Sequence, residues 1–167
     1  MLEPSLDLYG EAFEQVDALL GDLLQKSHAR YALIVDRNGF VLAHRRAVWA
    51  PTPPSFDSLA TLIASNHSAN LAIAKLFGQE AFQETVQLGA EVGTYVEELG
   101  PSALLVTVFD GSAAVGKVKL FTKQTVERVR ALLEDDHGPA PTLDLDQAWS
   151  DDTVARFDGL FEKRTTS

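Results

Sequence analysis

The most specific chemical spacing in this 167-residue chain is Gly111-Ser112-Ala113-Ala114-Val115-Gly116-Lys117. The interval matches a phosphate-binding loop, in which backbone N–H groups cradle an anion and the lysine reaches the outer phosphates. That chemistry also needs a Ser or Thr hydroxyl on a magnesium ion at the next position, which here is Val118. Such loops belong in parallel sheets, whereas the surrounding pattern is dominated by hairpins. Only Asp110, immediately beside the motif, is placed to hold a metal. The alternative is a Gly-rich helix start with a solvated lysine.

The other reactive side chains form no comparable pattern. His28, His44, His67 and His137 lack the i, i+4 spacing and the carboxylate partners of a ligand set, so no metal is expected. There is no cysteine, which removes disulfides, thiolate sites and cysteine nucleophiles and fits a reducing cytoplasm. No Gly-x-Ser-x-Gly elbow occurs. Carboxylates gather in the C-terminal tail and on helix faces, and none has the apolar setting that general acid/base work requires. Neither an active site nor a cofactor is expected.

A different pattern points to a partner. Ala60, Thr61, Ala64, Ser65, Ser68, Ala69 and Ala72 recur at three- and four-residue spacing, and no Asp, Glu, Lys or Arg lies between Asp57 and Lys75. A solvated helix face normally carries Lys and Glu. Small side chains instead let another backbone approach closely. Thr61, Ala64, Ser65, Ser68, Ala69 and Ala72 are therefore the expected partner-binding face. The alternative is a helix buried on both sides within its own domain.

The elements that would position these residues follow from hydrophobic period. Tyr9, Phe13, Val16, Leu20, Leu23 and Leu24 predict a helix over residues 8–26. Apolar runs at 31–35 and 40–43 flank Asn38-Gly39, which predicts a hairpin with the positive φ angles of a type I′ turn. Pro51, Pro53 and Pro54 make residues 45–54 a loop. A second helix should start among residues 55–58 and end at Phe77 before Gly78, its core stripe being Leu59, Leu62, Ile63, Ile73 and Phe77, interrupted by Asn66 and Asn70. Strands are expected near 84–88, 94–98 and 103–109, the last nearly all apolar and hence central. Val115, Val118, Thr122, Val126, Val129 and Leu133 predict a third helix. The order α-β-β-α-β-β-β-α gives an α+β fold, a five-stranded, mostly antiparallel sheet with helices on its faces.

From Glu134 the composition turns acidic and Pro-containing, so residues 1–135 are expected to form the domain and 136–167 an extended linker with a C-terminal segment. Ser150 could cap a short helix whose stripe is Val154, Phe157, Leu160 and Phe161, docking on its own domain or in a partner groove. A net charge of −10 argues against nucleic acid and anionic membranes. Met1 leads into Glu3 and Asp7 rather than a basic and apolar leader, and no run approaches the roughly 18 apolar residues of a spanning helix. A cytoplasmic protein without membrane insertion is expected.

The chain resembles the Roadblock/LC7 family, and more closely its bacterial mutual gliding protein B group. The residues that carry this are Met1-Leu2-Glu3-Pro4-Ser5-Leu6, the stretch from Ala32-Leu33-Ile34-Val35-Asp36 through Gly39 to Ala43, Ser58-Leu59-Ala60-Thr61-Leu62 continuing to Ala74-Lys75-Leu76-Phe77-Gly78, and Val108-Phe109-Asp110 leading to Gly116-Lys117-Val118-Lys119-Leu120. The resemblance spans about residues 1–135. It implies a homodimer in which the middle helix and the following strand pair across a two-fold axis. It also implies that the paired helices seat a GTP-bound, Ras-like small GTPase and stimulate its hydrolysis without an inserted arginine, in cell polarity or gliding motility. Arg37, Arg45 and Arg46 are the arginines to test against that last point. The alternative is a dimeric scaffold of the dynein-light-chain or Ragulator kind.

Overall fold

The computed structural model describes residues 8–136. In chain order the elements are α1 (Gly10–Ser27), β1 (Tyr31–Asp36), β2 (Val41–Arg46), α2 (Phe56–Leu76), β3 (Thr85–Leu88), β4 (Val92–Leu99), β5 (Ala103–Asp110) and α3 (Val115–Asp136). The strands form one antiparallel sheet in the order β2-β1-β5-β4-β3. This is the α+β order read from hydrophobic period, and the nearly all-apolar β5 is the central strand, as expected.

The sheet separates two layers. Thr107 of β5 and Thr122 of α3 share a buried hydroxyl–hydroxyl hydrogen bond of 2.9 Å, which fixes the α1/α3 face of the sheet. Ala32, Ile34, Tyr95 and Leu105 share that face by register, packed with the buried Val16, Leu20 and Leu23 of α1 and Val118, Val126 and Val129 of α3. Tyr31, Leu33, Val106 and Val108 point the other way, toward α2. There the Phe56 ring meets Tyr31 edge-on at 5.6 Å and His44 at 5.0 Å. Helix α2 touches neither α1 nor α3, and among the described residues it is the one helix on its face of the sheet.

Three expectations change. The hairpin is not type I′, because Asn38 has no positive φ; only Gly39 does, at +91°. Gly39 N–H bonds to Asp36 C=O at 3.1 Å and the Asp36 carboxylate accepts from the Asn38 and Phe40 N–H groups, giving a three-residue turn that ends in a left-handed glycine. An extra residue, Leu42, makes a bulge where the register passes from Ile34↔Ala43 to Val35↔Val41. Second, β2 continues through Arg46, so the loop begins after it rather than at residue 45. The prolines lie past the strand and leave its pairing intact.

Third, the expected core stripe of α2 is divided. The helix begins and ends as expected: Ser55 Oγ accepts from Ser58 N–H, and at the end Gly78, at φ +70°, donates its N–H to Lys75 C=O while the Phe77 and Gln79 N–H groups donate to Ala74 C=O. Ile63 is buried and Leu59 half-buried, but Leu62, Ile73 and Phe77 are exposed, and Ala60, Ala64 and Ala74 take the buried positions. Small residues on the inner face let the helix lie close to the sheet, and the large apolar side chains turn outward.

Candidate functional site

The outer face of α2 is built from small side chains edged by large ones. Thr61, Ser65, Ser68, Ala69 and Ala72 are exposed along it. Ala64 is not among them; at 6% exposure it packs inward, a correction to the expected face. Thr61 Oγ1 donates to Asp57 C=O and Ser65 Oγ to Thr61 C=O, each at 3.0 Å, so two hydroxyls are absorbed by the helix backbone. The surface they leave is low in polarity. Leu62 (68% exposed), Ile73 (43%) and Leu76 (84%) border it, and at the sheet edge Leu88 of β3 is exposed. An uncharged strip of this length, edged by leucine and isoleucine, is unusual for a solvated helix face, which normally carries Lys and Glu.

Two features position this face. The hairpin tip is pressed onto α2: a Cβ on Gly39 would lie 2.9 Å from the Thr61 Cα, so only glycine fits there. Beneath the helix, Asn70 Nδ2 donates to Asn66 Oδ1 at 2.8 Å, and the His67 ring faces Glu98 on β4. Burial, the largest influence, holds the His67 pKa below its usual 6.5, with Arg37 acting in the same direction and Glu98 against it. His67 Nε2 lies 3.2 Å from Glu98 Oε1, close enough to pair when the ring is protonated.

The strand β3 that follows α2 is the last in the sheet, bonded only to β4 among the described residues. Its sequence, Thr85-Val86-Gln87-Leu88, carries neither the lysine nor the proline that commonly guards an open edge. The exposed helix face and the open strand edge therefore lie in successive elements of the chain.

The three arginines are held within the domain. Arg37 Nη2 lies 3.5 Å from Glu98 Oε1, Arg45 pairs with Asp17, and Arg46 Nη2 donates to Ala50 C=O at 2.7 Å. None belongs to α2.

The 111–117 loop has the shape of a helix start. Asp110 accepts from the Ser112 hydroxyl, from Ser112 N–H at 2.8 Å and from Arg30 Nε at 2.6 Å. Those bonds, the Ser112 hydroxyl first, pull its pKa from 3.8 down to about 2. An ionised carboxylate thus already takes the Ser112 N–H and hydroxyl of the loop, and Val118, where a magnesium-binding hydroxyl would be needed, is fully buried. This arrangement does not suit a nucleotide. Among the described residues no group of three or more His, Asp or Glu could hold a metal ion, and no helix is long and apolar enough to cross a membrane. His137 and the stripe Val154, Phe157, Leu160 and Phe161 lie outside the described residues.

Sequence reasoning missed Leu62, Ile73 and Leu76 as surface residues. The signal was present: Asn66 and Asn70 break the stripe on the side that proves to face inward.

Residues 15–109 match the Roadblock/LC7 domain family. No curated protein matches the chain. Among solved structures, one described as MglB with tetrameric arrangement is 51% identical, with a TM-score of 0.76 over 80% of this chain and 98% of that one. The gliding protein MglB from Thermus thermophilus is also 51% identical, TM-score 0.76, covering 80% and 99%. Myxococcus xanthus MglB is 27% identical, TM-score 0.71, covering 81% and 99%.

Proposed function

The chain belongs to the Roadblock/LC7 family and is of the MglB type, and from that premise we propose that it is a homodimeric activator of a Ras-like small GTPase in bacterial cell polarity or gliding motility. The observation that carries this reading is the exposed, uncharged outer face of α2 (Thr61, Ser65, Ser68, Ala69, Ala72) beside the open edge of β3. Two copies pair across a two-fold axis through α2 and β3, a self-complementary arrangement that continues the sheet from one protomer into the next. The paired helices then seat the GTP-bound GTPase. Residues 1–135 carry this activity, and residues 136–167 are an acidic appendage to it.

The activator supplies no group to the reacting phosphate. A donated arginine is the common way to neutralise charge in phosphoryl transfer. The attachment of Arg37, Arg45 and Arg46 to Glu98, Asp17 and Ala50 favours another route. The protein instead holds the GTPase's own catalytic residues in register, so its contribution is positioning. This reading gives the chain no active site of its own.

The deciding experiment is single-turnover GTP hydrolysis by a Ras-like GTPase from the same organism, with and without this protein. Acceleration supports the activator. Binding without acceleration assigns the dimer to the scaffold class, and neither would remove the GTPase as partner.

A further inference from the structure

The two halves of α2 are anchored differently. In the N-terminal half Ala60, Ile63 and Ala64 are buried, and the Phe56 ring packs on Tyr31 and His44. Over residues 65–76 only Ala74 is buried, while Asn66, His67, Asn70 and Leu71 are half-buried. The helix backbone comes close to β1 and β2 but not to β3 or β4. Two clefts lie beneath the second half, the larger of about 260 Å³, and His67 lines both. Its side chain is 12% exposed, and its 3.2 Å approach to Glu98 Oε1 joins the loosely packed half of α2 to β4. A segment with few buried apolar contacts opens locally at low free energy, so one side chain can decide whether it stays docked.

The groups that face the His67 ring set its response to protons. Glu98 also takes Arg37, from the β1–β2 turn, at 3.5 Å on the same Oε1. Arg130 of α3 donates to Glu98 C=O at 2.9 Å, and Glu97 lines the larger cleft. Asn66 and Asn70 on α2 and Thr85 and Gln87 on β3 carry no charge. With the ring neutral, the Glu98 carboxylate is left to balance Arg37. A proton on the ring sets a second cation against that one oxygen, in a site with little water. Burial and Arg37 therefore favour the neutral ring, and Glu98 opposes them.

We propose that His67 is a proton-operated latch beneath the partner face: protonation of the ring frees residues 65–76 of α2 from β4, and assembly through the outer face of α2 weakens in acid. Release carries the imidazolium into water, where its charge is solvated. The advantage of the docked state is full above pH 6.5 and shrinks as pH falls below it, by at most about tenfold per pH unit for a single proton. Ser68, Ala69 and Ala72 belong to the freed segment, so release removes the surface that a partner would meet. The latch is a property of the chain alone, and its effect on assembly rests on the pairing through α2 proposed above.

Amide hydrogen exchange of the full chain, followed by NMR between pH 7.5 and 5.5, tests the latch. Protection factors, which correct for the intrinsic pH dependence of exchange, should fall at least about threefold over residues 70–76. Those of β5 should change less, and those of residues 70–76 in His67→Gln should stay level. The NMR titration of the ring adds a signature that loose packing alone would not give. Its midpoint should lie below 6.5, move lower in Glu98→Gln and move higher in Arg37→Gln, with the exchange profile following each. Sedimentation should show self-association weakening over the same interval in wild type and holding level in His67→Gln. Protection that is independent of pH while the ring titrates overturns the latch, as do shifts of the two variants in one direction. A helix that opens with self-association unchanged overturns the regulation of assembly. No self-association at any pH refutes the pairing through α2 and its regulation together, and the exchange result alone then decides the latch.

Discussion

Replacing Ala69 with arginine puts a long cation on the outer face of α2, where the native side chain is exposed. Alanine and arginine are both good helix formers, and an exposed site away from special geometry costs within about 0.5 kcal/mol. The isolated domain should keep its urea midpoint. The assembled face is another matter. Its neighbours Ser65, Ser68 and Ala72 are small, so a partner backbone that approaches them leaves no room for a guanidinium. The carboxylate on this helix, Asp57, lies in its first turn, more than two turns away. Desolvating that charge unpaired should cost roughly 2–5 kcal/mol of association, or about 30-fold to several thousandfold in affinity. Ala64→Arg tests the geometry from the other side. Ala64 is 6% exposed, and a buried unpaired charge there should cost about 4 kcal/mol or more, a large share of a typical domain's stability. Urea denaturation of both variants, with sedimentation and GTPase-binding titrations of Ala69→Arg, separates the two effects. A folded Ala69→Arg protein that self-associates and binds the GTPase with unchanged affinity would refute the interface. An unshifted midpoint for Ala64→Arg would refute its inward orientation.

Gly39→Ala should lower stability by about 1–3 kcal/mol, because φ is +91° and the new Cβ meets the Thr61 backbone; urea denaturation reads it directly. Asp110→Asn should lose at most about 2 kcal/mol near neutral pH. The Asp110 pKa is depressed, so its contribution is complete above 3.8 and lost as pH falls toward 2; the gap between wild type and variant should close across that window. An equal gap at pH 6 and pH 2 would contradict the Ser112 and Arg30 bonds. His67 responds in the same direction for a different reason: its folded pKa is also lowered, here because burial favours the neutral form, so wild type should lose stability as pH drops below 6.5. His67→Gln should remove that part of the pH dependence, measured as the denaturation midpoint between pH 5 and 8, while Glu98 and Arg37 remain beside the site.

The sheet was legible because its strands are written in unambiguous periods. The nearly continuous apolar run at β5 predicts a strand covered on both faces, and it is buried, as is the apolar run of β1. The position of the first hairpin was legible from Asn38-Gly39, but its turn type was not. Type I′ needs two left-handed residues, and the Asp36 carboxylate instead binds the Asn38 and Phe40 N–H groups and holds a longer turn with one. A side chain two residues upstream decided between conformations that the dipeptide alone permits.

The candidate site was legible in part, for a related physical reason. Period identifies which residues share a helix face, but it does not say what covers that face. The large apolar residues Leu62 and Ile73 were assigned inward because burial usually goes with size. In α2 the inner positions are Ala60, Ala64 and Ala74, which bring the helix close to the sheet, and the polar pair Asn66 and Asn70 faces inward, bonded to each other. That distribution inverts the pattern of a helix whose only apolar neighbour is its own domain. Leaving Leu62, Ile73 and Leu76 in water forfeits burial worth roughly 1.5–3 kcal/mol for each fully buried side chain of this kind. The small exposed residues between them remove the steric barrier to a second helix, and β3, the next element of the chain, leaves an unguarded sheet edge. A helix of this composition suits the contact proposed for it, and the Ala69→Arg experiment tests whether a partner completes it.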